Sequence, residues 1–367
     1  MNDQTGYSRK IEELIKKYRQ FFSDPSPGQI LATICPYTFQ IDYDAFGLPY
    51  RRLDSWDFDR QMKEFAETAV KSQLAFMDVT DGLDNDYVPA VSMNFGYGVN
   101  SSYFTGAKVI MGDDTSWARP VLTDWENLSN LKTDRNTYWF QKILEGYHYL
   151  KDLCGGGSIL LSAFCNAGPG DMANAVRGDA LFYDMYDEPD YVRLLMDKCA
   201  DAAIWLEEEL NGLIGQINGG AVTANVWFPG NAPYLSEDFN DLCSPELYRE
   251  FGRVYTQRIL DHFGGAYIHH HAKGRHIHGD IASLRQLHML EISWDPNCPK
   301  PVDDLAGLFE IHNDGGKNLP LMIRCRAEDV FEHIDELKRG RVVIMLNVDN
   351  LEQGKEVMRL IRKNSII

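Results

Sequence analysis

The sequence predicts an α/β protein, a single (β/α)8 TIM-like barrel with extra helices at its amino end. Three observations predict it. Eight short, apolar, β-prone segments punctuate the chain, with helical stretches between them, and strands that alternate with helices demand parallel crossover connections. The length of 367 residues suits such a barrel with additions. The turn after the first strand reads Cys35-Pro-Tyr-Thr-Phe, without the glycine-rich phosphate turn of the rival architecture, an open doubly wound sheet.

Residues 1–26 form a helical extension, and 27–367 form the barrel. Within the extension, residues 8–22 repeat apolar groups at helical spacing until Ser23-Asp-Pro-Ser-Pro-Gly28 ends them. Strands are predicted at Gln29–Cys35, Val88–Asn94, Ser158–Phe164, Ala221–Trp227, a histidine-bearing strand centred on Ile268, Met289–Trp294, Leu319–Arg324 and Arg341–Leu346. Helices are predicted over 58–77, 137–153 and 172–213, from Ser244-Pro245 onward, and over 277–287, 302–310, 327–338 and 351–362. Ser244 is a good cap, because its hydroxyl accepts free amide hydrogens and Pro245 fits the first turn.

Composition excludes several functions. A formal net charge of -18 is wrong for nucleic acid, whose phosphates need a basic surface. No apolar run approaches the ~20 residues of a membrane span. The start, Met1-Asn-Asp-Gln-Thr-Gly-Tyr, lacks signal-peptide character, so a cytoplasmic protein is expected. Seven scattered cysteines without a CxxC pair suit reduced thiols.

The chemistry concentrates in Ala266–Asp280, which holds five of the ten histidines. Side chains alternate along a strand, so His269 and His271 share a face and His270 takes the other. Two imidazoles on one face can grip a transition metal such as zinc. Barrel active sites lie at the carboxyl ends of strands. Those ends offer Tyr37, Asn94, Asn166, Trp227, His269, His271, Asp295, Arg324, Cys325, Asn347 and Asp349. Tyr37, Asn94 and Trp227 would wall a substrate pocket, and Arg324 would anchor an acidic group. Asp295 and His271 are the candidate acid–base groups. A third metal ligand is expected from Asp349, Asn347 or Cys325, in that order. Blander roles compete: Trp227 equally suits core packing, Arg324 an ion pair, Asp295 a turn before Pro296, and Cys325 an inert buried thiol.

Several segments together resemble the uroporphyrinogen decarboxylase superfamily, which includes zinc methyltransferases that act with corrinoid proteins. They are Trp117–Leu128, Gly168–Gly178, Tyr186–Val192, Leu242–Phe251 and the histidine strand, in the family's order. The resemblance implies a distorted α/β barrel, in agreement with the strand count. For the methyltransferase branch it implies a His-x-Cys pair and a later cysteine. His269 matches the histidine, His271 stands where the first cysteine belongs, and Leu346-Asn-Val-Asp349 holds no cysteine. For the decarboxylases it implies an arginine-rich motif for the substrate's carboxylates, yet 31–39 contain no arginine.

The leading expectation is a metal-assisted methyl (one-carbon) transferase acting on a small substrate, with zinc as cofactor, a corrinoid-carrying protein as partner and a homodimer as assembly. The alternatives are a metal-independent decarboxylase using Arg324, Arg275 or Lys273, a metal-dependent hydrolase, and a non-catalytic binding barrel.

Overall fold

A computed structural model of the chain describes residues 8–34, 52–105, 108–155, 157–163 and 168–367. Its centre is a six-stranded sheet in the order 29–34, 341–347, 321–326, 287–293, 266–271, 234–236, and every neighbouring pair is parallel. A separate parallel pair joins Ala90–Val91 to Leu160–Leu161. The structure therefore shows an α/β fold with eight parallel strands in two hydrogen-bonded groups.

Strand alternation sorts these residues into two faces. Leu31, Tyr267, Met289, Met322 and Val343 form one apolar layer with Tyr18 and Phe21 of the first helix. The alternate residues, such as Ile30, Ile292, Ile323 and Ile344, face the later helices. Helix Arg9–Ser23 starts at Ser8, whose hydroxyl accepts the Ile11 amide, and lays Ile11, Leu14, Ile15, Tyr18 and Phe21 onto the sheet. Further helices cover 62–79, 138–153, 189–214, 253–263, 327–337 and 351–364.

The fourth predicted strand is corrected. Residues 221–227 do not run as one strand; Gly220–Thr223 and Val226–Pro229 pair antiparallel. Ala224 and Asn225 form the turn at φ 49° and 57°, the left-handed pair that a two-residue hairpin needs. The place beside the histidine strand goes instead to Tyr234–Ser236. The predicted helix over 172–213 is three helices, 169–177, 180–187 and 189–214, broken at Gly178 (φ 71°) and at Pro189.

Candidate metal centre

The histidine strand lies inside the sheet, between 287–293 and 234–236. Its register sets His269 beside Glu291, and His271 beside Ser293. His269 and His271 share a face, with ring centroids 4.9 Å apart. Asp238, two residues past the strand 234–236, completes the group: one ligand atom from each of Asp238, His269 and His271 lies within 4.8 Å of the others. Asp238 Oδ1 is 3.6 Å from His269 Nε2, and its Oδ2 is 3.7 Å from His271 Nε2. These separations are too long for hydrogen bonds and leave room for an ion whose bonds to nitrogen and oxygen run near 2.0–2.2 Å.

Each imidazole turns its other nitrogen to a carboxylate. His269 Nδ1 is 2.9 Å from Glu291 Oε2, and His271 Nδ1 is 2.8 Å from Asp295 Oδ1. Such outer carboxylates fix ring orientation and raise ligand basicity. Glu291 is 1% exposed and also accepts hydrogen bonds from Ser293 Oγ at 2.8 Å and from Tyr267. Burial would raise its pKa, but the charge of His269 beside it, with Arg324 behind, holds it well below the usual range. Burial would conversely lower His269, and Glu291 outweighs it, lifting the imidazole to about 9. Asp295 is anchored in turn by the Lys273 amide at 3.0 Å.

The loop that carries Asp238 is stitched to the histidine strand. The Glu237 amide donates to His269 O at 2.9 Å, and Asp241 Oδ2 accepts the His271 amide at 2.7 Å. His270 points to the other face, as alternation requires. Its Nδ1 lies 3.2 Å from Asp241, and its Nε2 opens a buried chain through His278 (2.7 Å) and His312 (2.9 Å) to the Leu319 carbonyl (2.8 Å). Next to Asp238 opens a cavity of about 460 Å3 with Tyr97, Trp117, Phe182 and Phe239 among its walls. Asp171 and Asp179 also line it, and no Lys or Arg does among the described residues.

The other expected residues fall elsewhere. Arg324 Nε stands 3.6 Å from Glu291 Oε1, behind His269. Asn94 accepts the Gly96 amide and shapes a turn. Trp227 does not wall this site. It lies in the apolar layer around the first helix, with its indole nitrogen on Ile217 O, and hairpin geometry took it there. Cys325 alternates with Arg324 and lies outside the three-residue group, buried among the later helices, where burial raises its thiol far above the ordinary value. Asp349 is exposed, its amide capped by Gln353 Oε1, and Asn347 is exposed beside it, outside the three-ligand group. Tyr37 and Asn166 lie outside the described residues. Asp238 carries no sequence signal: the strand before it, Tyr234–Ser236, is three residues long and shows no periodicity.

The protein is of the α/β class, with parallel strands that bring the cluster of Asp238, His269 and His271 to their carboxyl ends. A profile described as Uroporphyrinogen decarboxylase (URO-D) matches residues 102–308, which include Asp238 and both histidines. The chain belongs to the uroporphyrinogen decarboxylase family. A search of curated proteins returns no match.

Proposed function

We propose that this chain is a metal-assisted methyl (one-carbon) transferase on a closed barrel, with Asp238, His269 and His271 as the metal ligands. The observation that carries the reading is the pairing of all three ligand atoms within 4.8 Å with a carboxylate behind each imidazole. Two nitrogens and one oxygen suit zinc with an open coordination position, and the bound ion would supply Lewis acidity that lowers the pKa of an acceptor group.

The chain's own residues do the remaining work. Glu291 and Asp295 hold both rings with Nε2 toward Asp238. The hydrogen bonds from Glu237 and His271 keep the Asp238 loop against the strand. The neighbouring cavity admits a small substrate with apolar surface and rejects a polycarboxylate, because its described charged side chains are all acidic. This last observation disfavours decarboxylation of uroporphyrinogen, the second reading. A corrinoid-carrying protein would be the methyl donor or acceptor.

The test is the metal content of purified protein. Wild type should hold about one equivalent of zinc. His269→Ala, His271→Ala and Asp238→Ala should each lose it, while Asp349→Ala keeps it. Metal retained in the triad variants removes the centre. Brisk release of carbon dioxide from uroporphyrinogen by chelator-treated protein establishes the second reading instead.

A further inference from the structure

A different cavity, of about 430 Å3, lies at the amino ends of the strands, away from the metal centre. Leu287 opens one bordering strand, Leu319 and Pro320 precede another, and Arg341 opens a third. Phe22, Leu284, Leu287, Leu319 and Pro320 give it apolar walls. Its charged lining is basic throughout: Arg285, Lys317 and Arg341, beside His288. In a chain of net charge -18 such a concentration stands out from its surroundings.

Arg341 is 6% exposed. Its guanidinium stacks over Phe21 at 5.1 Å and donates to Asn318 O at 2.9 Å and to Phe21 O. Its Nε is buried without a hydrogen-bond partner, and no carboxylate pairs with it among the described residues. Burial pulls its pKa down to about 10, against a weaker attraction from Asp24. A buried cation without a carboxylate in direct contact is costly, and an anion that reaches it relieves the cost. Lys317, exposed at the rim, reaches Ser283 O at 3.4 Å and makes no ion pair among the described residues. Arg285 is already paired, to Asp261 at 2.8 Å. Burial lowers the pKa of His288, which serves as wall. Glu310 and Asp314 line the adjoining cavity, which shares Lys317.

We propose that this cavity binds a small oxyanion carried on an apolar body, a phosphate monoester or a carboxylate, with Arg341 and Lys317 as its cationic partners. The two cations meet the oxyanion, and Phe22, Leu284 and Leu319 cover the body. The proposal is independent of the metal centre.

The test is calorimetric titration of the full, chelator-treated chain with phenyl phosphate, inorganic phosphate and benzoate, in a chloride background of fixed ionic strength. Saturable binding near one equivalent is expected, with an aromatic anion about tenfold tighter than inorganic phosphate because the ring leaves water. Phenyl phosphate or benzoate as the tightest ligand distinguishes the two anion classes. Lys317→Gln, on an exposed segment, should weaken binding by roughly tenfold, and Arg341→Gln should abolish it. Should Arg341→Gln fail to fold, Lys317→Gln decides alone. His271→Ala should leave the affinity unchanged, which separates this cavity from the metal end. Absence of saturable binding, an affinity indifferent to Lys317→Gln, or one lost in His271→Ala overturns the proposal.

Discussion

Glu291 touches no metal ligand atom that faces Asp238, yet it holds His269 from behind at 2.9 Å. Glu291→Gln keeps the shape and removes the charge, so His269 should become a weaker ligand. Zinc affinity should fall roughly 10–100-fold, measured by competition with a chromophoric chelator; an unchanged affinity would count against the carboxylate's role. His269 and His271 were legible in the sequence because alternation needs only the strand and its direction. Asp238 was not legible. The three-residue strand before it gives no periodicity, and only the folded sheet brings Ser236 beside His269. Cys325 misled for a related reason: a thiol at a strand end is attractive until the register assigns that position to Arg324's opposite face.

At the scale of elements, the buried imidazole chain joins strand 266–271 to helices 278–282 and 305–312. His312 is held at about 4, because burial outweighs its hydrogen bond to the Leu319 carbonyl. The unfolded chain takes up the proton near pH 6.5 and the folded chain only near 4, so stability is whole above pH 6.5 and is lost as pH falls toward 4. By pH 5 the loss should be about 2 kcal/mol. Urea unfolding at pH 7.5 and pH 5 should show a smaller drop in His312→Gln than in wild type, and an equal drop would exclude His312 as the source. The hairpin at 220–229 makes a separate prediction. Ala224 sits at φ 49°, where a Cβ costs ~1–2 kcal/mol and glycine does not. Ala224→Gly should raise stability by about 0.5–1 kcal/mol after the extra freedom of the unfolded glycine is counted, seen as a higher urea midpoint. That turn also explains why 221–227 read as one strand: Ala-Asn carries none of the Asn-Gly signal that marks a tight hairpin. The other seven predicted strands have their cores inside observed ones, because each carries a short apolar, β-prone stretch.

At the scale of the whole molecule, Asp86 gathers segments distant in sequence. It is 1% exposed, accepts the Ala32 amide at 2.8 Å, and meets Lys17 at 2.8 Å and Arg362 at 2.9 Å. Asp86→Ala would leave Arg362 and the Ala32 amide without this partner. Breaking a buried pair on one side costs about 3–5 kcal/mol, and the remaining link from Arg362 to Asp84 at 2.6 Å softens the loss to roughly 3 kcal/mol. Thermal unfolding of the variant should begin several degrees lower; an unchanged midpoint would show that the network contributes nothing. None of the described helices is long and apolar enough to cross a membrane.

The pairing of strand 29–34 with 341–347 has a consequence for synthesis. In the six-stranded sheet the first strand to leave the ribosome has no described neighbour except the last. Asn85 and Asp86 bond the Ile34 and Ala32 amides on one edge, but until residue 347 emerges the other edge of Gln29–Ile34 presents bare backbone groups, an invitation to pair with another nascent chain. Loop-closure entropy grows only slowly with length, so the delay carries little thermodynamic penalty but a long kinetic exposure. Helix Arg9–Ser23, complete long before then, can lie over Leu31 through Tyr18 and Phe21 and shield the strand's face while that edge waits.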